Sequence, residues 1–123
     1  MSTYLIDTHI LLWVLNEDPR LSEKHREIFL SGKDIVVSAV SILEIAIKKS
    51  LGKIVVRLDI VELLRDRGIP ILAVNGRHAA RVEHFPLYHR DPFDRVLVAQ
   101  AQIEGLQVVT EDANIRQYDI LLA

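Results

Sequence analysis

The segment YLIDTHILLWVL at residues 4–15 decides the fold. It begins with a short apolar run that ends at Asp7. Further apolar residues then recur with the spacing of one helix face: Ile10, Leu11, Val14 and Leu15. The segment therefore predicts a strand, a turn and a helix, in that order. Because a strand that leads directly into a helix is the unit of a parallel sheet, further units of this kind should follow.

Four more segments have the character of strands, and five more have the spacing of helices. Strands are predicted at 35–37, 70–74, 107–109 and 119–122. Helices are predicted at 22–32, 39–51, 58–67, 75–82 and 91–105, with a loop at 86–90 and a short helical turn at 113–117. Such alternation implies right-handed crossovers. We therefore expect an α/β fold of three layers, with a mainly parallel five-stranded sheet and helices on both faces.

Length and composition indicate a single domain over residues 1–123. With 50% hydrophobic residues the chain can bury a core, and it contains neither an internal repeat nor a linker. It has no cysteine, and no apolar stretch approaches the roughly 18 residues of a spanning helix. We therefore expect a cytoplasmic protein that makes no contact with a membrane.

The formal net charge of −2 argues against a protein that holds nucleic acid by charge alone. A nucleic-acid substrate would have to be held locally. Three basic clusters could do so, although solvated helix faces are the favoured explanation for each cluster taken alone: Lys48, Lys49, Lys53 and Arg57; Arg77, His78 and Arg81; and His89, Arg90 and Arg95.

Four acidic residues occupy unusual positions. Asp7 and Asp112 follow predicted strands, whereas Glu44 and Asp94 lie near the starts of predicted helices. In parallel α/β sheets, ligands bind outside the carboxyl ends of the strands. We therefore expect these four side chains to point into one cleft above the sheet.

Structural roles are the alternative for each of them. Asp7 and Asp112 could cap the helical turns that follow, and Asp94 could complement the dipole of a helix that Asp91 caps.

Glu44 is isolated in the sequence, since no other Asp, Glu, Lys or Arg lies between Ile35 and Ile47. A carboxylate in so apolar a segment must reach water, a partner or a metal. It could instead close a capping box with Ser41, unless the helix begins earlier with Ser38 as its cap.

Several carboxylates in one cleft repel each other and are stabilised by hard cations such as Mg²⁺ or Mn²⁺. Two such cations can activate water and stabilise the leaving oxygen in phosphodiester hydrolysis. Thr8 and Thr110 could hydrogen-bond nearby waters or carboxylates, and Arg95 could pair with Asp94 or contact phosphate.

Several motifs in order along the chain resemble the PIN domain family and, within it, the VapC-like toxins of bacterial toxin–antitoxin pairs. They are Leu5-Ile6-Asp7-Thr8-His9 with Leu11-Leu12-Trp13, Ser38 to Glu44, His89-Arg90-Asp91-Pro92-Phe93-Asp94-Arg95 with Ala99-Gln100-Ala101, and Thr110-Glu111-Asp112. The run Asp-Pro-Phe-Asp-Arg after a histidine is the most specific of them.

The resemblance implies a Rossmann-like sheet of order 3-2-1-4-5, dependence on Mg²⁺ or Mn²⁺, and cleavage of single-stranded RNA. It also implies a homodimer that an antitoxin protein inhibits. Its acidic set matches Asp7, Glu44, Asp94 and Asp112, with Glu111 as the alternative to Asp112.

A non-catalytic module that binds RNA or a partner protein through the same fold remains the alternative function. A receiver domain would need paired acidic residues after the first strand, and a nucleotide-binding domain a glycine-rich loop; both are missing. We also expect part of the apolar surface of the first helix to meet a dimer mate or an antitoxin, with burial in the core as the alternative: Leu11, Leu12, Trp13 and Leu15.

Overall fold

The computed structural model describes residues 3–123 and contains a five-stranded sheet. The strands are β1 (Tyr4–Ile6), β2 (Ile35–Ser38), β3 (Ile71–Leu72), β4 (Gln107–Val109) and β5 (Leu121–Leu122). Their order is β3-β2-β1-β4-β5, and every neighbouring pair is parallel. The predicted fold class and strand order are confirmed.

Six helices connect the strands: α1 (Thr8–Leu15), α2 (Glu23–Ser31), α3 (Ala39–Ser50), α4 (Ile60–Asp66), α5 (Gly76–Arg81) and α6 (Pro92–Glu104). Two single 3-10 turns lie at Val82–His84 and Ile115–Gln117. The third and fifth strands are shorter than predicted. β3 ends at Leu72 because the chain must then reach Asn75, whose side chain caps α5.

The sheet is buried on both faces, as a parallel sheet with crossover helices should be. On one face, Ile6 and Val109 join a core cluster that includes residues of α1, α2, α3 and α4. On the other face, Leu5 and Val108 pack with α6. This arrangement holds the central strands rigidly, so the residues that follow their carboxyl ends have fixed positions.

Core burial, the alternative for the apolar surface of α1, holds for two of its four residues. Leu11 is fully buried and Leu12 is 8% exposed, because α1 is covered by both α2 and α3. Trp13 and Leu15 are half-buried against the same core. Large exposed apolar side chains occur in other parts of the chain, and five of them lie on or just after α3: Leu43, Ile47, Leu51, Val55 and Leu58.

None of the helices in the described residues is both long and apolar enough to cross a membrane.

Candidate active site

The central strands β1, β2 and β4 end side by side, and polar residues follow each of them. Asp7 comes directly after β1, Thr110 comes directly after β4, and Ser38 is the last residue of β2. All three are at most 1% exposed. The carboxyl edge of the sheet is therefore a buried polar region, in the place where open α/β sheets bind ligands.

Asp7 is both a helix cap and a link between two strands. Its Oδ1 accepts a hydrogen bond from the backbone N–H of Ile10 at 2.7 Å, and its Oδ2 accepts one from the Thr110 hydroxyl. Burial raises the pKa of this carboxyl, and the bonds from Thr110 and Ile10 oppose that rise. The capping role expected from sequence is present, but it uses only one of the two oxygens.

Glu44 does not belong to a capping box. The helix α3 begins at Ala39, where the Ser38 hydroxyl accepts from the N–H of Val40 at 3.1 Å. Ser41 is therefore inside the helix, and its hydroxyl accepts from that of Thr8 at 2.9 Å. The early start also places Glu44 in the second turn of α3 rather than the first.

The carboxylate of Glu44 is only half satisfied. The residue is 2% exposed, and its Oε2 lies 2.6 Å from Nζ of Lys48 one turn later. Its Oε1 is buried and has no hydrogen-bond partner within residues 3–123. A buried carboxylate oxygen without a hydrogen-bond partner destabilises the fold unless a group from outside the chain contacts it.

The pKa of Asp94 reflects both its burial and the negative charges around it. It lies in the first turn of α6, which Asp91 caps through the N–H groups of residues 93 and 94. Its pKa is raised to about 8, first by burial and then by the charges of four carboxylates: Asp91, Asp112, Glu44 and Asp7. The four residues singled out in the sequence are thus close enough to act on one another electrostatically.

A chain of hydrogen bonds orients the Asp94 carboxylate. Arg95 Nη1 can only donate, and it donates to the Tyr118 hydroxyl at 3.1 Å. The hydroxyl proton is then available to His89 Nδ1, 2.9 Å away. In the neutral ring the remaining proton is therefore on Nε2, which lies 3.1 Å from Asp94 Oδ2 and donates to it.

Arg95 does not form the salt bridge with Asp94 that the sequence allowed, since Asp94 pairs with His89. It is 8% exposed, and besides Tyr118 it donates to the backbone carbonyls of Val82 and Pro86 at 3.1 Å each. The 82–89 segment folds around the guanidinium of Arg95, so its backbone carbonyls accept the N–H groups that could otherwise have paired with Asp94.

Two other members of the predicted basic clusters have acidic partners within the chain. His78 is 1% exposed and lies 3.0 Å from Glu104, while Lys48, with 32% of its side chain exposed, is paired with Glu44. Fewer basic side chains of these clusters are therefore free at the surface than the sequence suggested.

Asp112 and Glu111 have distinct partners. Asp112 donates its N–H to the Thr110 hydroxyl and accepts from the N–H of Asn114 at 2.8 Å, whereas the 3-10 turn Ile115–Gln117 that follows has no side-chain cap. Glu111 accepts from the N–H of Ser22 at 3.0 Å and lies 3.3 Å from His25, which ties it to the start of α2. Both residues line a cleft of about 230 Å³ beside Asp7.

The model of the PIN domain family matches residues 4–121 of the chain. The chain belongs to the PIN domain family. It is 26% identical to Ribonuclease VapC22 of Mycobacterium tuberculosis (strain ATCC 25618 / H37Rv), over 96% of this chain and 93% of that protein.

Solved structures of low identity share the PIN fold. FitAcB from Neisseria gonorrhoeae is 18% identical with a TM-score of 0.67, over 98% of this chain and 96% of that one. A toxin–antitoxin complex from Klebsiella pneumoniae is 14% identical with a TM-score of 0.69, over 98% and 97%. VapBC2 from Rickettsia felis, bound to a DNA fragment from its promoter, is 16% identical with a TM-score of 0.66, over 98% and 96%.

The acidic region of this PIN domain has the donor chemistry of a hard-cation site. All four predicted ligands offer carboxylate oxygens, which Mg²⁺ and Mn²⁺ prefer, and one buried oxygen of Glu44 lacks a partner among the described residues. In the positions seen, no three His, Asp or Glu side chains of residues 3–123 are grouped closely enough to hold an ion. Ligation would require side-chain rotation, so the ligand set stays a prediction.

Sequence patterns missed the residues that support the acidic side chains. The sequence placed His89 in a basic cluster and Ser41 in a possible capping box, and it gave no role to Tyr118. Ser41 meets Thr8, and Tyr118 meets His89 and Arg95, across 23 to 33 residues of chain, for which a single sequence carries no local signal. His89 lies only five residues before Asp94, but that spacing alone does not predict their contact.

Proposed function

We propose that this PIN domain is an endoribonuclease that uses Mg²⁺ or Mn²⁺ to cleave single-stranded RNA, as the toxin of a toxin–antitoxin pair. The observation that carries the proposal is that Asp112, Glu44 and Asp7 lie close enough to Asp94 to add to the effects of burial and of Asp91, which together raise the pKa of Asp94 to about 8. The similarity to Ribonuclease VapC22 supports the ribonuclease assignment. The structures of toxin–antitoxin complexes with the same fold support the toxin role.

The acidic residues would hold the cation, and the neighbouring residues keep their oxygens in place. Asp7, Glu44, Asp94 and Asp112 are the proposed ligands. When bound, divalent cations would activate a water molecule and neutralise charge on the scissile phosphate. Thr110 fixes one oxygen of Asp7, and His89 fixes one oxygen of Asp94.

Protein partners form the second part of the proposal. Exposed apolar residues on α3 and after it suit a homodimer contact or an antitoxin: Leu43, Ile47, Leu51, Val55 and Leu58. A cytoplasmic location accords with both a homodimer and an antitoxin partner. The predicted homodimer should elute at twice the mass of one chain when size-exclusion chromatography is combined with light scattering.

Cleavage of RNA tests the proposed activity directly. Purified protein should degrade single-stranded RNA in the presence of Mn²⁺, and EDTA should stop the reaction. Asp7→Asn should reduce the rate by at least about tenfold, because it removes a proposed ligand charge. Asparagine also caps helices well, so the fold should survive this substitution.

Asp119→Asn is the matched control, since it removes the same charge at an exposed position. It should cleave at the wild-type rate. Cleavage that persists in EDTA and in Asp7→Asn would contradict the proposal, and binding of RNA without any cleavage would favour the non-catalytic module.

A further inference from the structure

The cleft beside Asp7 has a second wall that the acidic residues do not explain. It is lined by Asp7, His9, Ile10, Trp13, Arg20, Glu111 and Asp112. The lining therefore offers an indole, an imidazole and a guanidinium in addition to the carboxylates. We propose that this cleft binds one unpaired nucleobase of the RNA strand, next to the phosphate that is cleaved, by stacking it on the Trp13–Arg20 pair. This inference rests on the proposed function.

The aromatic wall already has the geometry of a stacking platform. The guanidinium carbon of Arg20 lies 5.0 Å from the centre of the Trp13 ring. The ring of His9 lies 6.3 Å from that of Trp13, tilted by 48°. Proteins bind unpaired bases by stacking them on aromatic rings and on guanidinium planes, and both kinds of group meet here.

Arg20 is held in place before any ligand arrives. Asp18 accepts from Nη2 at 2.7 Å, from Nε at 3.1 Å and from the backbone N–H of Arg20 at 2.9 Å. Hydrogen bonds from Arg20 lower the pKa of Asp18 to about 2, so the carboxylate remains charged at any working pH. Because Asp18 balances the positive charge, Arg20 suits a stacking role better than capture of a phosphate.

Charge and size also favour a base over a phosphate in the cleft itself. Asp7, Glu111 and Asp112 would repel a phosphate that entered it, whereas a nucleobase is neutral. The volume of about 230 Å³ is below the range of pockets that enclose a whole drug-sized ligand, and it suits one small planar group.

Trp13 is the only tryptophan of the chain, so its fluorescence reports directly on the cleft. The probes are single-stranded 2′-O-methyl oligoadenylate, which resists cleavage, and an abasic oligomer of the same length. Oligoadenylate should quench the fluorescence of the metal-free protein in a saturable way. The abasic strand should bind at least about fivefold more weakly and leave the fluorescence nearly unchanged, since it lacks bases to stack.

Arg20→Ala should weaken oligoadenylate binding by about three- to tenfold, because it removes half of the platform. Arg65→Ala is a matched control: both arginine side chains are 70% exposed, and each pairs with a nearby carboxylate. Arg65→Ala should bind like the wild type. Since Arg20 is exposed, its removal should leave the fold intact.

Three results would overturn the proposal. Equal quenching by the abasic strand would show that only the sugar–phosphate backbone reaches Trp13. Binding by fluorescence anisotropy without quenching would place the bases elsewhere. No binding, or an equal loss in Arg20→Ala and Arg65→Ala, would leave the cleft to another occupant, such as a protein segment. The RNA cleavage assay on the same preparations shows separately whether the proposed function holds.

Discussion

Arg95→Met is expected to lower the free energy of unfolding by about 3–5 kcal/mol. The substitution keeps much of the volume of the side chain but removes every donor. The carbonyls of Val82 and Pro86 and the hydroxyl of Tyr118 would each lose a charged donor in a partly buried region, although each keeps a second partner. Each hydrogen bond from a charged donor contributes about 1.5–3 kcal/mol. Urea denaturation followed by circular dichroism measures the loss.

The exposed arginine Arg65 provides the control. Arg65→Met removes the same charge from the surface of α4 and should change stability by less than about 1 kcal/mol. If Arg95→Met proved as stable as Arg65→Met, the guanidinium would not be the anchor of the 82–89 segment.

Asp94→Asn should have the opposite effect and stabilise the metal-free protein. Folding raises the pKa of Asp94 from 3.8 to about 8, so between these values the native state binds more protons than the unfolded state. The stability contributed by this group therefore falls as the pH rises from about 4 to 8. Asparagine removes the charge that burial and neighbouring carboxylates oppose. At pH 8 the gain should be roughly 2–5 kcal/mol.

The test compares urea denaturation at pH 5 and pH 8, with EDTA present. The stability difference between Asp94→Asn and wild type should be small at pH 5 and large at pH 8. Asp119→Asn, at an exposed position, should show little change at either pH. A gain that does not grow with pH would mean that neither burial nor the neighbouring carboxylates oppose the charge of Asp94.

Local signals in the sequence were sufficient for the scaffold. Asp91 before Pro92 marks the start of α6, and Asp7 after an apolar run marks the end of β1. Caps and strand ends depend on residues close in sequence, so these positions follow from local rules. The order of the strands within the sheet was implied by the family resemblance, since local rules do not determine which strands pair.

The supporting contacts of the site could not be predicted in the same way. Thr8 meets Ser41, and Tyr118 meets His89, only because β1, β2 and β4 lie side by side in the folded sheet. The burial of Leu11 and Leu12 likewise depends on α2 and α3 covering α1 together. A pattern along one helix shows that a face is apolar but not how many neighbours cover it.

Binding of Mn²⁺ measured by calorimetry at pH 8 shows whether the acidic residues share a cation, and it needs neither the RNA nor the partner protein. The wild type should bind the ion, and Asp119→Asn should bind it equally well. Asp7→Asn should bind it at least about tenfold more weakly. Wild-type affinity in Asp7→Asn, or no binding by any of the three proteins, would contradict the claim that these carboxylates share a cation.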